Sequence, residues 1–290
     1  MNVETETFLA DDGIRLVGDV WRAGDGGDGR APVLLMHGGG QTRHSWAGAA
    51  ERFARAGRTA ITMDARGHGE SDRSPGGDYG WARISGDVLT LADRIAERFG
   101  AVPVPVGASM GGLATMAAET ERPGTFPAAV LVDITPRMRM DGVERILGFM
   151  AANAEAGFDT VEAAADAIAA YLPHRPRPKS LDGLSKNLRQ GDDGRFYWHW
   201  DPAFVAAMQS REEGRPDRLA HLESGVRAMR QPILLVRGRQ SELVTQEEVD
   251  HFLSLAPHAK VTDVSGAGHM VAGDRNDIFA DEVIAFLDGL

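Results

Sequence analysis

The sequence predicts an α/β protein: a mainly parallel sheet with helices on both faces, interrupted by one inserted segment. Three observations predict it. Short continuous apolar runs at residues 32–36, 102–106, 129–133 and 232–236 have the pattern of strands buried on both faces. Helix-like stretches separate most of these runs, and such alternation belongs to layered parallel sheets. The alternation stops between Pro136 and about Met229 and then resumes, so the core is discontinuous along the chain.

The elements follow in order. Residues 4–21 read as strand, turn and strand, because Asp11-Asp12-Gly13 supplies the positive-φ positions of a tight hairpin. Residues 24–29 form a glycine and aspartate loop, and the strand at 32–36 runs into His37-Gly38-Gly39-Gly40. A helix is expected at 45–56, a strand at 59–63, and then the glycine-rich loop Asp64-Ala65-Arg66-Gly67-His68-Gly69. Val88, Leu91, Ile95 and Phe99 lie at spacings of three and four on one helix stripe, closed by Gly100. The strand at 102–106 leads through Gly107-Ala108-Ser109-Met110-Gly111-Gly112 into a helix beginning near Leu113, and 129–133 is the next strand. Alanine-rich helical segments with a proline break at 173–178 fill the insertion. A strand at 232–236, a helix at 246–255 and a strand at 260–264 rebuild the core. Phe279, Val283, Phe286 and Leu287 make the apolar face of a closing helix. The expected division is core at 1–135, helical insertion at 136–229 and core again at 230–290.

Bulk properties narrow the chemistry. A chain of 290 residues suits one α/β core with an insertion, and its 43% apolar and 25% charged fractions are those of ordinary globular proteins. The net charge of -11 repels nucleic-acid phosphates and anionic lipid, so neither nucleic acid nor membrane is an expected partner. The nearest basic run, Arg175, Arg177 and Lys179 alternating with prolines, reads as a solvated linker. With no cysteine, disulfides, thiolate catalysis and Cys-ligated metals are excluded. Residues 1–13 carry no Lys or Arg, and no apolar run has signal-peptide or membrane-spanning length, so the cytoplasm is the expected location. No H-E-x-x-H, EF-hand or phosphate-cradling G-x-x-x-x-G-K-[ST] pattern occurs, and the chemistry is expected to need no cofactor and no metal. A small-molecule substrate is the expected partner; the sequence carries no signal of oligomeric state.

Gly107 to Gly111 matches G-x-S-x-G between an expected strand and an expected helix, the context in which such a turn holds a serine hydroxyl clear at a helix N-terminus. Ser109 is therefore the candidate nucleophile. A hydroxyl needs a general base, and the base needs a carboxylate to fix its tautomer. His269, in Ser265-Gly266-Ala267-Gly268-His269 after a late strand, is the candidate base. Chain order favours Glu242, in the loop after the strand at 232–236, as the acid; Asp133, at the end of the preceding strand, is the rival. The amides of Met110 and Gly39, with Gly40 next, are the candidate oxyanion donors. His44 and the aromatic stretch Phe196-Tyr197-Trp198-His199-Trp200, Trp198 and Trp200 above all, are candidate substrate contacts, as are Phe149 and Met150 in the insertion. His68 reads as a hydrogen-bonded structural histidine.

Together the sequences His37-Gly38-Gly39-Gly40, Asp64-Ala65-Arg66-Gly67-His68-Gly69-Glu70-Ser71, Gly107 to Gly112, Val132-Asp133 and Gly266-Ala267-Gly268-His269 resemble the α/β-hydrolase superfamily, in its capped esterase, haloperoxidase-like and epoxide-hydrolase-like branch. The resemblance covers nearly the whole chain except the insertion. It implies an α/β-hydrolase fold with an eight-stranded, mostly parallel sheet and a helical cap over the active site. Much of that superfamily has aspartate where this chain has Glu242. Epoxide hydrolases and haloalkane dehalogenases have an aspartate nucleophile where Ser109 stands, which disfavours ring opening through an aspartyl ester. The expected activity is hydrolysis of a carboxylic ester or lactone of a small, largely apolar substrate through an acyl-serine. Cleavage of a carbon-carbon bond in a ketone or diketone, or perhydrolysis, would use the same residues. A non-catalytic small-molecule receptor is the alternative from another class.

Overall fold

The computed structural model describes residues 3–24, 29–173, 181–210, 215–269, 271 and 276–290. The alternating basic run at 175–179 lies outside the described residues. The chain opens on the antiparallel pair β1 (Val3–Leu9) and β2 (Arg15–Trp21), turned by Gly13 at φ 82°. There follow β3 (Val33–Met36), α1 (Ala47–Arg55), β4 (Ala60–Met63), α2 (Trp81–Phe99), β5 (Val104–Ala108), α3 (Met110–Glu121) and β6 (Ala129–Val132). The insertion contributes α4 (Met140–Ala151), α5 (Val161–Tyr171), α6 (Asp182–Ser185), the small hairpin β7 (Leu188–Gln190) and β8 (Phe196–Trp198), and α7 (Pro202–Gln209). Next come α8 (Arg215–Ala228), β9 (Ile233–Gly238), α9 (Gln246–Leu255), β10 (Lys260–Val264) and a closing helix, α10 (Asn276–Asp288).

The eight core strands form one sheet in the order β1-β2-β4-β3-β5-β6-β9-β10, antiparallel only at the β1–β2 and β2–β4 pairings. Strand alternation divides its two faces. In β3, Val33 and Leu35 join a cluster with Trp46, Phe53, Phe279 and Val283, whereas Leu34 and Met36 pack with Val88, Leu91 and Ile95 on the opposite side. Helices α1 and α10 thus cover one face and α2 the other. Gly100, at φ 77°, caps α2 as expected.

Three local differences have physical causes. The helix expected at 45–56 is split into a 3₁₀ turn, Arg43–Trp46, and α1. The buried Asp64 carboxylate explains the break: it accepts from the Arg43 amide at 2.7 Å and from its guanidinium at 2.5 Å, and the guanidinium also pairs with Asp19 and Glu70. The insertion, expected to be helical, contains β7 and β8, paired across a turn in which Gly194 has φ 79°. Finally, α8 falls within 136–229 but packs on α3 of the core. Leu222 and Val226 are buried beside Met116, the Thr120 hydroxyl donates to the His221 carbonyl at 2.8 Å, and a Cβ on Gly225 would meet the Met116 carbonyl oxygen at 2.0 Å.

Topology selects the place of the site. The sheet is wound in both directions from β3 and β5, which are neighbours although α1, β4 and α2 lie between them in sequence. In open α/β sheets the crevice beyond such a reversal is where ligands bind. The register aligns the strand ends: Met36 pairs with Gly107, Ala108 with Val132, and Val132 with Val236. The loops after β3, β5, β6 and β9 therefore leave the sheet side by side.

Candidate active site

Ser109 sits between β5 and α3 at φ 47° and ψ −111°, a strained conformation for a residue with a Cβ. The surrounding glycines make the turn possible. A Cβ on Gly107 would lie 2.5 Å from the Gly111 carbonyl carbon, and one on Gly111 would lie 2.6 Å from the Met36 carbonyl oxygen. Strand β5 and helix α3 are thereby pressed together and the serine is thrust out at the helix N-terminus.

His269 follows β10 and donates from Nδ1 to Asp133 Oδ2 at 2.8 Å. This leaves Nε2 to face a proton donor. Asp133 is wholly buried, has φ 49°, and stands directly after β6. Its Oδ1 accepts from the Gly238 amide at 2.9 Å and its Oδ2 also accepts from the Ser241 hydroxyl at 2.5 Å. Three donors thus hold one carboxylate against the imidazole. Gly238 also permits the histidine loop to lie close to β9, since a Cβ there would meet the Gly268 carbonyl oxygen at 2.1 Å.

Glu242, favoured by chain order, does not occupy that position. Its charge acts instead on Tyr171 in α5, whose phenol is pushed up first by burial and then by Glu242. The loop itself explains the correction. The Ser241 hydroxyl accepts from the amides of Leu243 and Val244 at 3.1 Å each, which coils the chain so that residue 241, not 242, meets Asp133. Because β6 and β9 are adjacent and parallel, an acid after either strand can reach the same histidine.

The glycine loop after β3 is fixed residue by residue. The Gly38 amide donates to Gln41 Oε1 at 3.1 Å and the Gly40 amide to His68 Nε2 at 3.3 Å. The amides of Gly39 and Met110 donate to no acceptor among the described residues, although both residues line the cavity that holds Ser109 and His269. A Cβ on Gly38 would approach the Ser109 Cβ to 3.2 Å, so the loop touches the serine.

That cavity has a volume of about 740 Å³. His44, Phe149, Met150, Trp198 and Trp200, all singled out from the sequence, line it. Two stacked aromatic pairs stiffen its walls: Phe149 on Tyr171 with centroids 4.3 Å apart, and Trp198 on Trp200 at 4.7 Å. Among the described residues no cluster of His, Cys, Asp and Glu is arranged to hold a metal ion.

Residues 33–282 match the family model described as the alpha/beta hydrolase family. The chain belongs to that family. It is similar to the esterase Rv0045c of Mycobacterium tuberculosis, with 30% identity over 266 residues covering 90% of this chain and 84% of the relative. It is 28% identical over 277 residues to the mouse sn-1-specific diacylglycerol lipase ABHD11, covering 90% of this chain and 82% of that one. The crystal structure of E-2-(acetamidomethylene)succinate hydrolase superposes with a TM-score of 0.80 at 21% identity, covering 99% of this chain and 100% of the other, and shares the fold.

Sequence reasoning missed two features of this α/β hydrolase. One is Ser241, whose only local signal was its place in a loop already under suspicion. The other is a cluster of buried imidazoles that ties the glycine loop to the loop after β4 and to the cap. His37 Nε2 accepts from the Ala65 amide at 3.0 Å, so its Nδ1 carries the proton and donates to the Gly38 carbonyl at 2.8 Å. His68 lies between His37 and His199, with centroids 5.1 and 5.9 Å away, and His199 Nδ1 accepts from the Gly69 amide at 2.7 Å. Burial, then the neighbouring imidazoles, keeps His68 well below the usual histidine range, and the same causes push His199 down to about 3. All three therefore act as neutral hydrogen-bonding groups.

Proposed function

We propose that this hydrolase cleaves carboxylic esters or lactones through an acyl-Ser109 intermediate. The observation that carries the proposal is the Asp133–His269 hydrogen bond at 2.8 Å, placed on the cavity that Ser109 and the unpaired Gly39 and Met110 amides also line. In this reading Asp133 holds the imidazole so that Nε2 removes the Ser109 proton as Oγ attacks the carbonyl carbon. The tetrahedral oxyanion is met by the Gly39 and Met110 amides, which donate to no acceptor among the described residues and so need no reorganisation. His269 then gives its proton to the leaving oxygen, and the alkoxide departs as an alcohol. A water, deprotonated by the same nitrogen, attacks the acyl-serine; collapse breaks the bond to Ser109 Oγ, which takes the proton back from His269, and the acid is released. The relatives described as an esterase and a lipase support ester bonds as the target. No helix among the described residues is long and apolar enough to cross a membrane, which fits a substrate reached from water.

Active-site labelling tests the reading. A fluorophosphonate probe is expected to attach to Ser109, and Ser109→Ala is expected to lower ester turnover by about 10⁶-fold. Full turnover in Ser109→Ala, or labelling elsewhere with Ser109 unmodified, would overturn it.

A further inference from the structure

The cavity is larger than a short ester requires. At about 740 Å³ it has room for many more atoms than a two-carbon acyl group brings. An acetyl group would leave most of the apolar wall without a partner. That wall is formed chiefly by the cap: Ile168 and Tyr171, spaced i and i+3 on α5, and Leu172 just after it line the cavity, as do Ile146, Leu147 and Met150 of α4.

Two features describe what fits there. Met110, Met138, Met140, Met150 and Met208 all line the cavity, and unbranched thioethers adapt to an occupant rather than impose one rigid outline. The charges around the lining are of both signs. Glu144 lines the cavity, and Glu242 acts on Tyr171. The Arg145 guanidinium lies over the Tyr171 ring at 5.5 Å. Of the cations that line the cavity, Lys186 exerts its charge on His44 beside the glycine loop, and Arg218 has a partner of its own.

From the size and plasticity of this lining we infer that the hydrolase is selective for esters of a flexible acyl chain of about eight carbons or more, seated between α4 and α5. The inference rests on the ester-hydrolase reading and assigns its substrate class. Each methylene that leaves water for the cap contributes to transition-state binding as well as to ground-state binding, so kcat/KM grows with chain length until the chain meets the end of the cavity.

The test is a series of neutral p-nitrophenyl esters from acetate to hexadecanoate, held below micelle-forming concentrations. The expected result is a rise in kcat/KM on the order of three- to fourfold per methylene up to at least octanoate. Ile168→Trp and Ile168→Phe, which grow into open space at the α5 end, are expected to move the optimum to shorter chains. A maximum at acetate or butyrate overturns the inference while leaving the ester reading intact. So does an unchanged chain-length profile in both Ile168 variants. Failure to cleave any ester, with Ser109 unlabelled by fluorophosphonate, overturns the ester reading itself.

Discussion

At the scale of single residues, the assignment of the acid separates two carboxylates that sequence order alone ranked the other way. Asp133 accepts three hydrogen bonds in a wholly buried setting, whereas Glu242 faces the cap. Asp133→Asn is expected to lower kcat by about 10⁴-fold, because the amide leaves the imidazole in the wrong tautomer. Glu242→Gln is expected to stay within a few-fold of the parent on short esters. Steady-state kinetics of the two variants decide the matter, and the reverse ranking restores Glu242. Ser241 extends the argument by one atom. Its hydroxyl donates to the oxygen of Asp133 that also binds His269, while it accepts from two amides of its own loop. Ser241→Ala is expected to lower kcat roughly tenfold with little change in KM, since a hydrogen bond to a charged group contributes about 1.5–3 kcal/mol and orients the acid rather than the substrate. Ser241→Thr keeps the donor and is expected to recover most of the loss. The tight turn at Ser109 and the glycine-rich loop before His269 leave strong local marks in the sequence. The carboxylate that His269 meets leaves none, because two adjacent parallel strands carry candidates and only three-dimensional register tells them apart.

At the scale of elements, strand and helix assignments were most legible where one period dominates. The strand at 260–264 and the helix at 246–255 coincide with β10 and α9, the latter started by a reciprocal Thr245–Glu248 capping box. Legibility fell where a long-range charge decides the backbone, as at Arg43, or where a turn makes a hairpin inside an alanine-rich stretch, as at β7 and β8. The histidine cluster shows the same limit, for its members come from the loops after β3, β4 and β8. Its consequence is a pH-dependent stability whose sign follows from the direction of the shifts. His199 is held at about 3 when folded and returns to about 6.5 when unfolded, so below about pH 6.5 the unfolded chain binds the extra proton. Stability is fully present above that value and is lost as pH falls towards 3, at a limiting slope of about 1.4 kcal/mol per pH unit for this one imidazole. Urea unfolding between pH 7.5 and 5 is expected to show this decline, and His199→Gln is expected to flatten it. A slope unchanged by the substitution would place the titrating group elsewhere.

At the scale of the whole molecule, well-placed polar bonds join the core to the insertion. The Tyr79 hydroxyl, carried by the core segment before α2, donates to Asp201 Oδ2 at 2.6 Å, and the Asp201 amide donates to the Gly67 carbonyl at 2.8 Å. Asp201 in turn starts α7 by accepting from the Ala203 amide at 3.0 Å, and α7 supplies Phe204 to the cavity wall. One buried phenol thus fixes the helix that seats the cap on the sheet. Burial and the Asp201 hydrogen bond both push the Tyr79 phenol up, so it remains a donor across the whole working range of pH. Tyr79→Phe preserves the ring, including its edge contact with Phe204 at 5.6 Å, and removes the hydroxyl that donates to Asp201 and accepts from the Ser74 amide at 3.1 Å. The expected cost is about 1.5–3 kcal/mol of stability, because a buried carboxylate loses a charge-assisted partner. Hydrogen exchange is expected to accelerate in α7 and β8 while β5 and β6 stay protected, since the sheet keeps all its own bonds. On long-chain esters kcat/KM is expected to fall more than on short ones, because only the long chains use the wall that α7 and the rest of the cap hold in place. Equal exchange rates in α7 for the variant and the parent would show that the cap is seated by apolar packing alone.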